Sequence, residues 1–428
     1  MKISTKRLPK SQAELTIEVP YDELKPYLLR EASKINLAGF RRGKAPYEIV
    51  RQQIGETKLL NEALPKIFEE TLSEAFSKEK LEVIGEPFID VEKLEHGVSL
   101  IYKARLSLLP EIKLGDYKKI DIKKHEIIID DGETEKVIAE LQDRYAKEAI
   151  TEKGAQRGDL IMADFNMLID KVPLEGGQFK NHRILLGAEI FPKEFNENLA
   201  DIKKGEEKKF EVEYPSNHFD KKLAGKKISF DLKANEVYER IKPDLNDEFA
   251  KSLGNFNNLE DLKINIKNII TNDKERNEKE KFEGELLDKL VSQSNFSEIP
   301  DILLDGETNK MLHELEMNII SQGGKFEDYL SHIKKTREAL KKGFEDKALK
   351  RVKTALAIRR VAQIEDIKVG EEEVEDETTS YKSYMSSMSY LSLEIENNLK
   401  SREYRNYLKN ILLNKKIIEK LAEWAQKN

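Results

Sequence analysis

Helical spacing of apolar residues extends over almost the whole C-terminal part of the sequence. From Pro243 onward, Leu, Ile, Val and Met recur every three or four positions, as in helices with one apolar face. The sequence is also rich in charge, because 36% of its 428 residues are Asp, Glu, Lys or Arg and 39% are hydrophobic. Helices with so much charge do not close one dense core. Residues 241–428 are therefore predicted to form an all-α domain of long, arm-like helices that expose short apolar patches.

Breaks in this pattern place the individual helices. The predicted helices span residues 259–291, 302–320, 326–342, 344–364, 380–397 and 402–426. Pro300 ends the first helix, and the pair Gly323-Gly324 ends the second. Eight acidic residues lie between Glu365 and Glu377. Such a run is usually a solvated face, and we assign it no role.

The first 110 residues mix strand and helix patterns. Leu15, Ile17 and Val19 alternate with polar residues, which predicts a half-buried strand that ends at Pro20. Helical spacing follows over residues 21–38 and again over 47–80, and two further strands are predicted over 81–91 and 99–106 around a turn at His96-Gly97. Residues 1–110 are therefore predicted to form an α+β domain.

A cationic loop separates the two helical stretches of this domain. It reads Gly39-Phe40-Arg41-Arg42-Gly43-Lys44-Ala45-Pro46, and residues 34–51 carry five basic residues against one acid in a chain of net charge -7. Glycines permit a tight turn, and Pro46 suits the first turn of the next helix. Arginines beside an aromatic ring suit a partner rich in phosphate. A solvated connection between two helices explains the charges about equally well.

The middle of the chain has two different characters. Residues 111–150 combine an extended stretch, residues 120–129, with an amphipathic helix through Val137, Leu141 and Tyr145, and they have little core of their own. They are predicted to form a connecting arm that packs with the C-terminal domain. Residues 151–240 show short strands and glycine-bearing turns, with the clearest strands at 160–165, 209–214 and 228–232. This stretch is predicted to be a second compact α+β domain.

Several classes of function are disfavoured by the sequence. It has no Cys, and its six His are scattered without metal-ligand spacing, so we expect no disulfide and no metal. No glycine-rich loop precedes a Lys-Ser or Lys-Thr pair after an apolar strand, so we expect no nucleotide and no other cofactor. Neither a signal peptide nor a membrane span is predicted, which places the protein in the cytoplasm without a membrane partner.

The loop motif, followed by Ile49-Val50 and Gly55, resembles the ribosome-docking signature of the trigger factor family. The resemblance implies that Phe40, Arg41 and Arg42 contact the ribosome and that Lys44 is a supporting cation. It also implies two kinds of partner, namely the ribosome, through a tunnel-exit protein and ribosomal RNA, and nascent or unfolded polypeptides. The formation of a homodimer by protein that is not bound to the ribosome is left open.

Residues 151–240 resemble the FKBP-like peptidyl-prolyl isomerase domain of that family in the spacing of glycines and aromatics. The resemblance implies an aromatic pocket for a proline ring, with these catalytic positions: Phe165, Ile190, Phe191, Phe195, Phe219 and Phe230, joined by Leu174. Phe165, Phe195 and Phe219 are our choice for the walls, and Phe230 is the position most easily explained as plain core. Leu174 occupies a position where the family usually has an aromatic residue, and His218-Phe219 occupies a position where it usually has Tyr. The resemblance therefore implies a weak isomerase activity.

The order of helix breaks after residue 241 resembles the family's chaperone domain. The resemblance implies an open cradle whose flexible apolar residues hold clients, here Met311, Leu315, Met317, Met385 and Met388. The implied function is an ATP-independent chaperone at the ribosomal exit tunnel with prolyl isomerase activity. Two alternatives are a free-standing prolyl isomerase whose helices only target substrates, which leaves the basic loop unexplained, and a helical nucleic-acid-binding or scaffolding protein, which the acidic balance disfavours.

Overall fold

The structure is a computed structural model, and it describes residues 1–41, 43–95, 99–123, 127–128, 130–188, 190–218, 220–388 and 392–427. The chain divides into two compact units. The first comprises Met1–Lys124 together with Lys279–Asn428, and the second is His125–Glu278. Within the described ranges, no helix combines the length and apolar character needed to cross a membrane.

The N-terminal part of the first unit is a sheet covered by helices. Its elements are β1 (Lys2–Leu8), β2 (Gln12–Pro20), α1 (Tyr21–Lys34), α2 (Tyr47–Ile54), α3 (Glu56–Glu79), β3 (Val83–Glu95) and β4 (Ser99–Leu108). In the described residues the sheet is antiparallel with strand order β1-β2-β4-β3. Strand β2 alternates buried and half-buried residues, as predicted. The predicted turn at His96-Gly97 lies outside the described residues.

Two helix boundaries in this part differ from the prediction. Helix α1 ends at Lys34 rather than at residue 38, because Ile35 takes an extended conformation. The stretch 47–80 is two helices, since Gly55 has a φ of 85° and interrupts the pattern between α2 and α3. Strand β1 was not predicted, because its side chains are only exposed or half-buried and carry little apolar alternation.

Helix α3 is fixed to the sheet by a buried polar and aromatic contact. The hydroxyl groups of Thr71 and Tyr102 lie 2.6 Å apart, and the Thr71 hydroxyl donates to the carbonyl of Ile67. Burial raises the pKa of Tyr102 to about 12, and the bond to Thr71 opposes that rise. The ring of Phe68 meets Tyr102 edge-on at 4.7 Å. These contacts place α3 across the inner face of β4.

The segment after β4 is followed by the second unit. The segment contains β5 (Ile112–Lys113) and a 3-10 turn (Tyr117–Lys119), both in the first unit. The second unit then contains α4 (Asp131–Arg144), β6 (Lys147–Ile150), β7 (Leu160–Ile169), β8 (Val172–Leu185), α5 (Lys193–Leu199), β9 (Glu207–Glu213), β10 (Lys227–Ile241) and α6 (Asp247–Leu253). Helix α7 (Leu259–Ser292) begins in the second unit, and its residues after Glu278 belong to the first. The extended stretch predicted over 120–129 forms no strand in its described residues.

A sheet organised on β10 is the centre of the second unit. Strand β7 pairs along one edge of β10. Along the other edge of β10, β9 pairs with its first half and β6 pairs with its end. Strand β8 pairs with β7 and completes the described sheet. The predicted strands at 160–165, 209–214 and 228–232 are confirmed within β7, β9 and β10. Strand β6 belongs to this sheet, although the predicted arm includes its residues.

The remaining helices belong to the first unit. They follow the short strand β11 (Asn295–Phe296), which pairs with β5, and are α8 (Asp301–Ser321), α9 (Phe326–Ile333), α10 (Arg337–Gly343), α11 (Glu345–Ile364), α12 (Glu371–Ser387), α13 (Leu393–Leu399) and α14 (Arg402–Gln426). The single helix predicted over 326–342 is wrong, because Lys334 has a φ of 52° and ends α9.

The helix predicted over 380–397 is also wrong in its bounds. Helix α12 begins at Glu371, and its first turn consists of Glu371, Glu372 and Glu373. Carboxylates are favourable there, because the N-terminus of a helix carries a partial positive charge. Glu373 also accepts a hydrogen bond from the backbone of Gly370 at 3.1 Å. Most of the acidic run therefore starts a helix instead of separating two.

Among the described residues, the helical part is held by several small apolar clusters. The one that contains the connecting segment joins Ile120 to α7, α11 and α14, with these fully buried members: Leu286, Ala357, Val361, Ile417 and Leu421. Separate clusters join α8 to α9 and α10, and α12 to α14. This distribution agrees with the prediction that the helices do not share one dense core.

Replacing Ile120 by Ala should destabilise the cluster of α7, α11 and α14 by about 2–5 kcal/mol, because a fully buried side chain leaves a cavity. Urea denaturation followed by Trp fluorescence measures this loss directly, since Trp424 is the only Trp of the sequence and packs against the same cluster. The matched control is Ile128→Ala, whose side chain is exposed and whose effect should stay within about 0.5 kcal/mol. Equal losses for the two variants would contradict the assignment of Ile120 to this core.

Candidate functional site

The cationic loop between α1 and α2 exposes its aromatic residue. Leu37 is buried and anchors the loop, while Gly39 and Gly43 have φ values of 89° and 75° that side-chain-bearing residues rarely adopt. The Phe40 amide donates to the carbonyl of Leu37 at 3.1 Å, which closes the first turn. The Phe40 side chain is 38% exposed even though it is a large apolar group.

The described cations of this loop have no ion-pair partner. Arg41 and Lys44 are exposed, and no carboxylate lies within ion-pair distance of either among the residues that the structure describes. Arg42, the third predicted contact residue, lies outside the described residues. At the base of the loop the situation is different, because Lys34 pairs with Glu31 and Arg51 pairs with Glu48 at 3.2 Å. Unpaired positive charge is therefore concentrated at the loop itself.

Two half-buried tyrosines, Tyr21 and Tyr47, lie at the start of α2. The hydroxyl of Tyr21 donates to Glu56 at 2.8 Å, and burial together with this bond raises the pKa of Tyr21 well above its ordinary value. Burial also raises the pKa of Tyr47, the first residue of α2. Both tyrosines therefore stay neutral near pH 7.

The second candidate site is an aromatic cluster on one face of the β10 sheet. Phe230 of β10 lies opposite Met167 of β7 and Phe210 of β9, so the three side chains share a face. Phe165 lies opposite Phe179 of β8, and their rings stack at 4.6 Å. Helix α5 covers the same face.

Helix α5 and the loop before it add two rings to this cluster. The rings of Phe191 and Phe195 stack at 4.3 Å, and Phe195 meets Phe230 edge-on at 5.0 Å. Pro192 precedes α5 as its N-cap and fixes the approach of the chain. Asn196 holds the preceding loop, because its side-chain oxygen accepts from the Gly187 amide at 2.6 Å.

The predicted pocket residues fall into different environments. Phe165, Phe195 and Phe230 are buried in the core, and Phe195 has no exposed surface. Phe191 is half-buried at the edge of the cluster, and Ile190 is 62% exposed. Phe219 lies outside the described residues. Phe165 and Phe195 could thus serve only as the floor of a proline site, and their catalytic role stays a prediction.

Residues that the sequence analysis missed supply much of the accessible apolar surface. Phe179 and Phe210 are half-buried against the core, and so is Leu174, one of the predicted pocket positions. Phe179 was missed because β8 is a largely polar edge strand with a Gly176-Gly177 interruption, so no apolar alternation marks it. Phe210 lies in the predicted strand, and its alternation with Val212 was the available signal.

A cleft of about 470 Å³ adjoins this cluster on the side of α5. Phe191 and Ala188 line it, with Arg157 and Lys193 at its edge. In the same module, Tyr214 is buried beside His218, and burial raises the pKa of Tyr214 to about 12. Among the described residues, no group of acidic or histidine side chains is arranged to hold a metal ion.

The predicted cradle residues also differ in exposure. Met311 is only 8% exposed and packs inside the helical part, whereas Met317, also on α8, is 50% exposed. Met388 is exposed, and Leu315 and Met385 are half-buried. Further exposed apolar residues of these helices are not among the predicted cradle positions: Ile302, Ile320, Tyr381, Tyr384, Leu393, Tyr407 and Ile411.

Comparison with known proteins agrees with these features. Residues 1–141 match the family "Bacterial trigger factor protein (TF)", and residues 258–423 match "Bacterial trigger factor protein (TF) C-terminus". A trigger factor of Carboxydothermus hydrogenoformans is 35% identical over 88% of this chain and 89% of its own length. One of Clostridium tetani is 29% identical over 99% of both chains.

A solved structure from a study of promiscuous substrate recognition by the trigger factor chaperone covers 99% of both chains, at 22% identity and a TM-score of 0.49. The two family matches and the identity to the Carboxydothermus protein over most of its length lead to one conclusion. The chain belongs to the trigger factor family of bacterial chaperones.

Proposed function

We propose that this chaperone is ATP-independent, docks at the ribosomal exit tunnel in the cytoplasm and holds nascent chains. The single observation that carries ribosome docking is the exposed Phe40 beside the unpaired cations Arg41 and Lys44. Arg and Lys side chains without acidic partners are available to phosphate, and an exposed ring can stack on a base or pack on a protein. Arg42 completes the proposed contact.

We also propose that the β10 module is a prolyl isomerase. Rotation about an X-Pro bond crosses a barrier of about 18–20 kcal/mol, because the amide loses its resonance in the twisted state. An apolar surface lowers this barrier when it removes water from the amide carbonyl and fits the twisted form better than the planar ones. The half-buried Leu174, Phe179, Phe191 and Phe210 support this role, since they leave apolar surface accessible beside the buried floor.

Holding of unfolded chains is assigned to the helical part. Helix α8 has 21 residues and is therefore about 30 Å long, which suits one wall of a cradle. Its exposed Met317 and Ile320, with the exposed residues of α12 to α14, offer separate apolar contacts. Each contact is worth at most about 1.5–3 kcal/mol, so several act together while each releases quickly.

The proposed division of labour follows domain boundaries at 1–110 for ribosome binding, 111–150 for the connecting arm, 151–240 for isomerisation and 241–428 for the cradle. The packing of Ile120 against α7, α11 and α14 supports the association of the arm with the C-terminal domain. We also propose that the protein forms a homodimer when it is not bound to the ribosome.

Changing Phe40, Arg41 and Arg42 together to Ala should abolish co-sedimentation with ribosomes and leave thermal stability unchanged, because an exposed loop adds little to the core. Binding of the unaltered protein should weaken with salt, with a log-log slope of roughly -0.7 to -0.9 per neutralised phosphate. A matched control replaces the exposed Phe88, Lys6 and Lys25 of the same module by Ala. Binding by the loop variant equal to that of the control would refute the docking site.

The full-length protein should accelerate a proline-limited refolding reaction, and Phe191→Ala should slow the catalysed rate about two- to tenfold, as expected for one aromatic contact of about 0.5–1.5 kcal/mol. Phe191 is preferred to the buried Phe195, whose loss would cost about 3–5 kcal/mol of stability and obscure the result. Val172→Ala, at an exposed apolar position of β8, is the control. No acceleration by the unaltered protein would refute the isomerase.

Replacing Met317, Ile320, Tyr384 and Met388 by Ser should weaken suppression of aggregation of a denatured client without ATP. The fold should be retained, because all four side chains are exposed. The control variant replaces four exposed apolar residues outside the C-terminal helices by Ser: Leu29, Phe88, Val91 and Val172. If both variants lose protection equally, the holding surface is not specific to the helical part.

A further inference from the structure

A cationic cleft lies beside the segment that leaves β4, within the first unit. It has a volume of about 410 Å³, inside the range of roughly 300–1,000 Å³ that is usual for ligand pockets. Five cations line it: Arg7, Lys80, Lys113, Arg359 and Arg360. Among the described residues, two carboxylates, those of Glu82 and Glu111, line it as well. The cleft is therefore positive in a chain whose net charge is -7.

Most of these cations are available to a ligand. Arg359 pairs with Glu82 at 3.1 Å, and Arg360 donates to the side-chain oxygen of Gln363 at 3.2 Å. Arg7, Lys80 and Lys113 have no carboxylate within ion-pair distance in the described part of the chain. Like charges gathered in a cleft repel one another, and an anionic ligand would relieve that repulsion.

The other lining residues indicate what kind of anion fits. Leu81, Leu109, Pro110 and Leu356 give the cleft an apolar surface next to the cations. None of the described residues that line it is aromatic, so they provide no stacking platform of the kind that proteins use for single-stranded nucleic acid. A lining of cations beside apolar groups matches a polypeptide that carries Asp or Glu between apolar residues.

Recognition would depend on side chains more than on strand pairing. The amide of Leu109 already donates to the carbonyl of Glu82 at 2.8 Å, and that of Glu111 donates to the hydroxyl of Ser297 at 2.9 Å. Lys113 lies in β5, which is paired with β11. The backbone of this segment thus offers few free donors, and the cations remain as the binding groups.

The acidic run of the chain itself is not a suitable occupant. Glu371 pairs with Arg405 and Lys409, and Glu373 pairs with Lys416, so these carboxylates are neutralised by α14. These contacts lower the pKa of both carboxyl groups, which keeps them charged and engaged. An occupant must therefore come from another polypeptide.

We propose that this cleft binds acidic segments of unfolded client polypeptides in which Asp or Glu alternates with apolar residues. The proposal rests on the holding function proposed above and names a substrate class for it. The cleft would retain client segments that the neutral apolar patches of α8 and α12 to α14 bind poorly, because a buried carboxylate needs a cationic partner.

Binding is measured by fluorescence anisotropy on the full-length protein with two labelled peptides of equal length, one alternating Leu with Glu and one alternating Leu with Lys. The Glu peptide should bind more tightly than the Lys peptide and should weaken as salt is added. The test variant is Arg7→Glu with Lys113→Glu, which should weaken the Glu peptide by about tenfold or more, since each reversal replaces attraction by repulsion. Both positions are exposed, so the fold should persist.

A control variant with the same change in net charge, Arg402→Glu with Lys415→Glu, alters exposed cations of α14 away from the cleft. It should bind the Glu peptide nearly as tightly as the unaltered protein. Equal weakening in both variants would overturn the proposal, and so would equal binding of the two peptides. Stronger competition by a short single-stranded RNA than by unlabelled Glu peptide would identify a nucleic-acid site instead.

Aggregation assays separate this proposal from the holding function. If the unaltered protein binds the Glu peptide through the cleft but protects no denatured client, the holding function fails while the peptide site stands. If it protects clients and the cleft variant still binds the Glu peptide fully, the peptide site fails alone.

Discussion

Burial of Ile120 among α7, α11 and α14 joins two parts of the sequence that are far apart. This side chain comes from the segment that follows the N-terminal sheet, and its partners come from the last third of the chain. The pairing of β5 with β11 and the hydrogen bonds of Ser11 and Glu111 to residues 297–298 lie along the same connection. The cationic cleft is lined by residues from both parts that this connection joins, such as Arg7 and Arg359.

The scarcity of apolar residues explains the architecture of the helical part. Several small clusters, each formed by two to four helices, replace a single core in the described residues. The many ion pairs along the exposed helix surfaces, such as Arg351 with Glu314, contribute little each, because solvent screens them. Apolar residues left outside the clusters, such as Leu393 and Tyr407, therefore remain exposed. In a chaperone, such exposed apolar residues are useful because they offer contacts to the apolar side chains of unfolded polypeptides.

The sequence predicted elements whose signal is local. The loop at Gly39 to Pro46, the alternation of β2 and the end of α8 before Gly323-Gly324 each depend on a few neighbouring residues, and the structure confirms them. Pro300 does not end the first helix, which already ends at Ser292, but precedes α8 as its N-cap. The sequence did not predict β8, because an edge strand with polar side chains owes its conformation to pairing with β7. The break at Lys334 was missed for a similar reason, since only the backbone conformation of that residue marks it. Whether an aromatic forms the floor or the rim of a pocket depends on neighbours from other strands, as with Phe195 and Phe210.

The pairing of β6 with the end of β10 has an evolutionary consequence. Lys147, where the chain enters the β10 sheet, lies opposite Ile241, where it leaves. Cα atoms of antiparallel partners are only about 4.5–5.5 Å apart, so the segment between these residues begins and ends at almost the same point in space. Recombination could remove or duplicate the segment 147–241 and rejoin the flanking residues across a gap that one or two amino acids bridge. Relatives that differ by the gain or loss of this whole module are thus structurally accessible in a single genetic event.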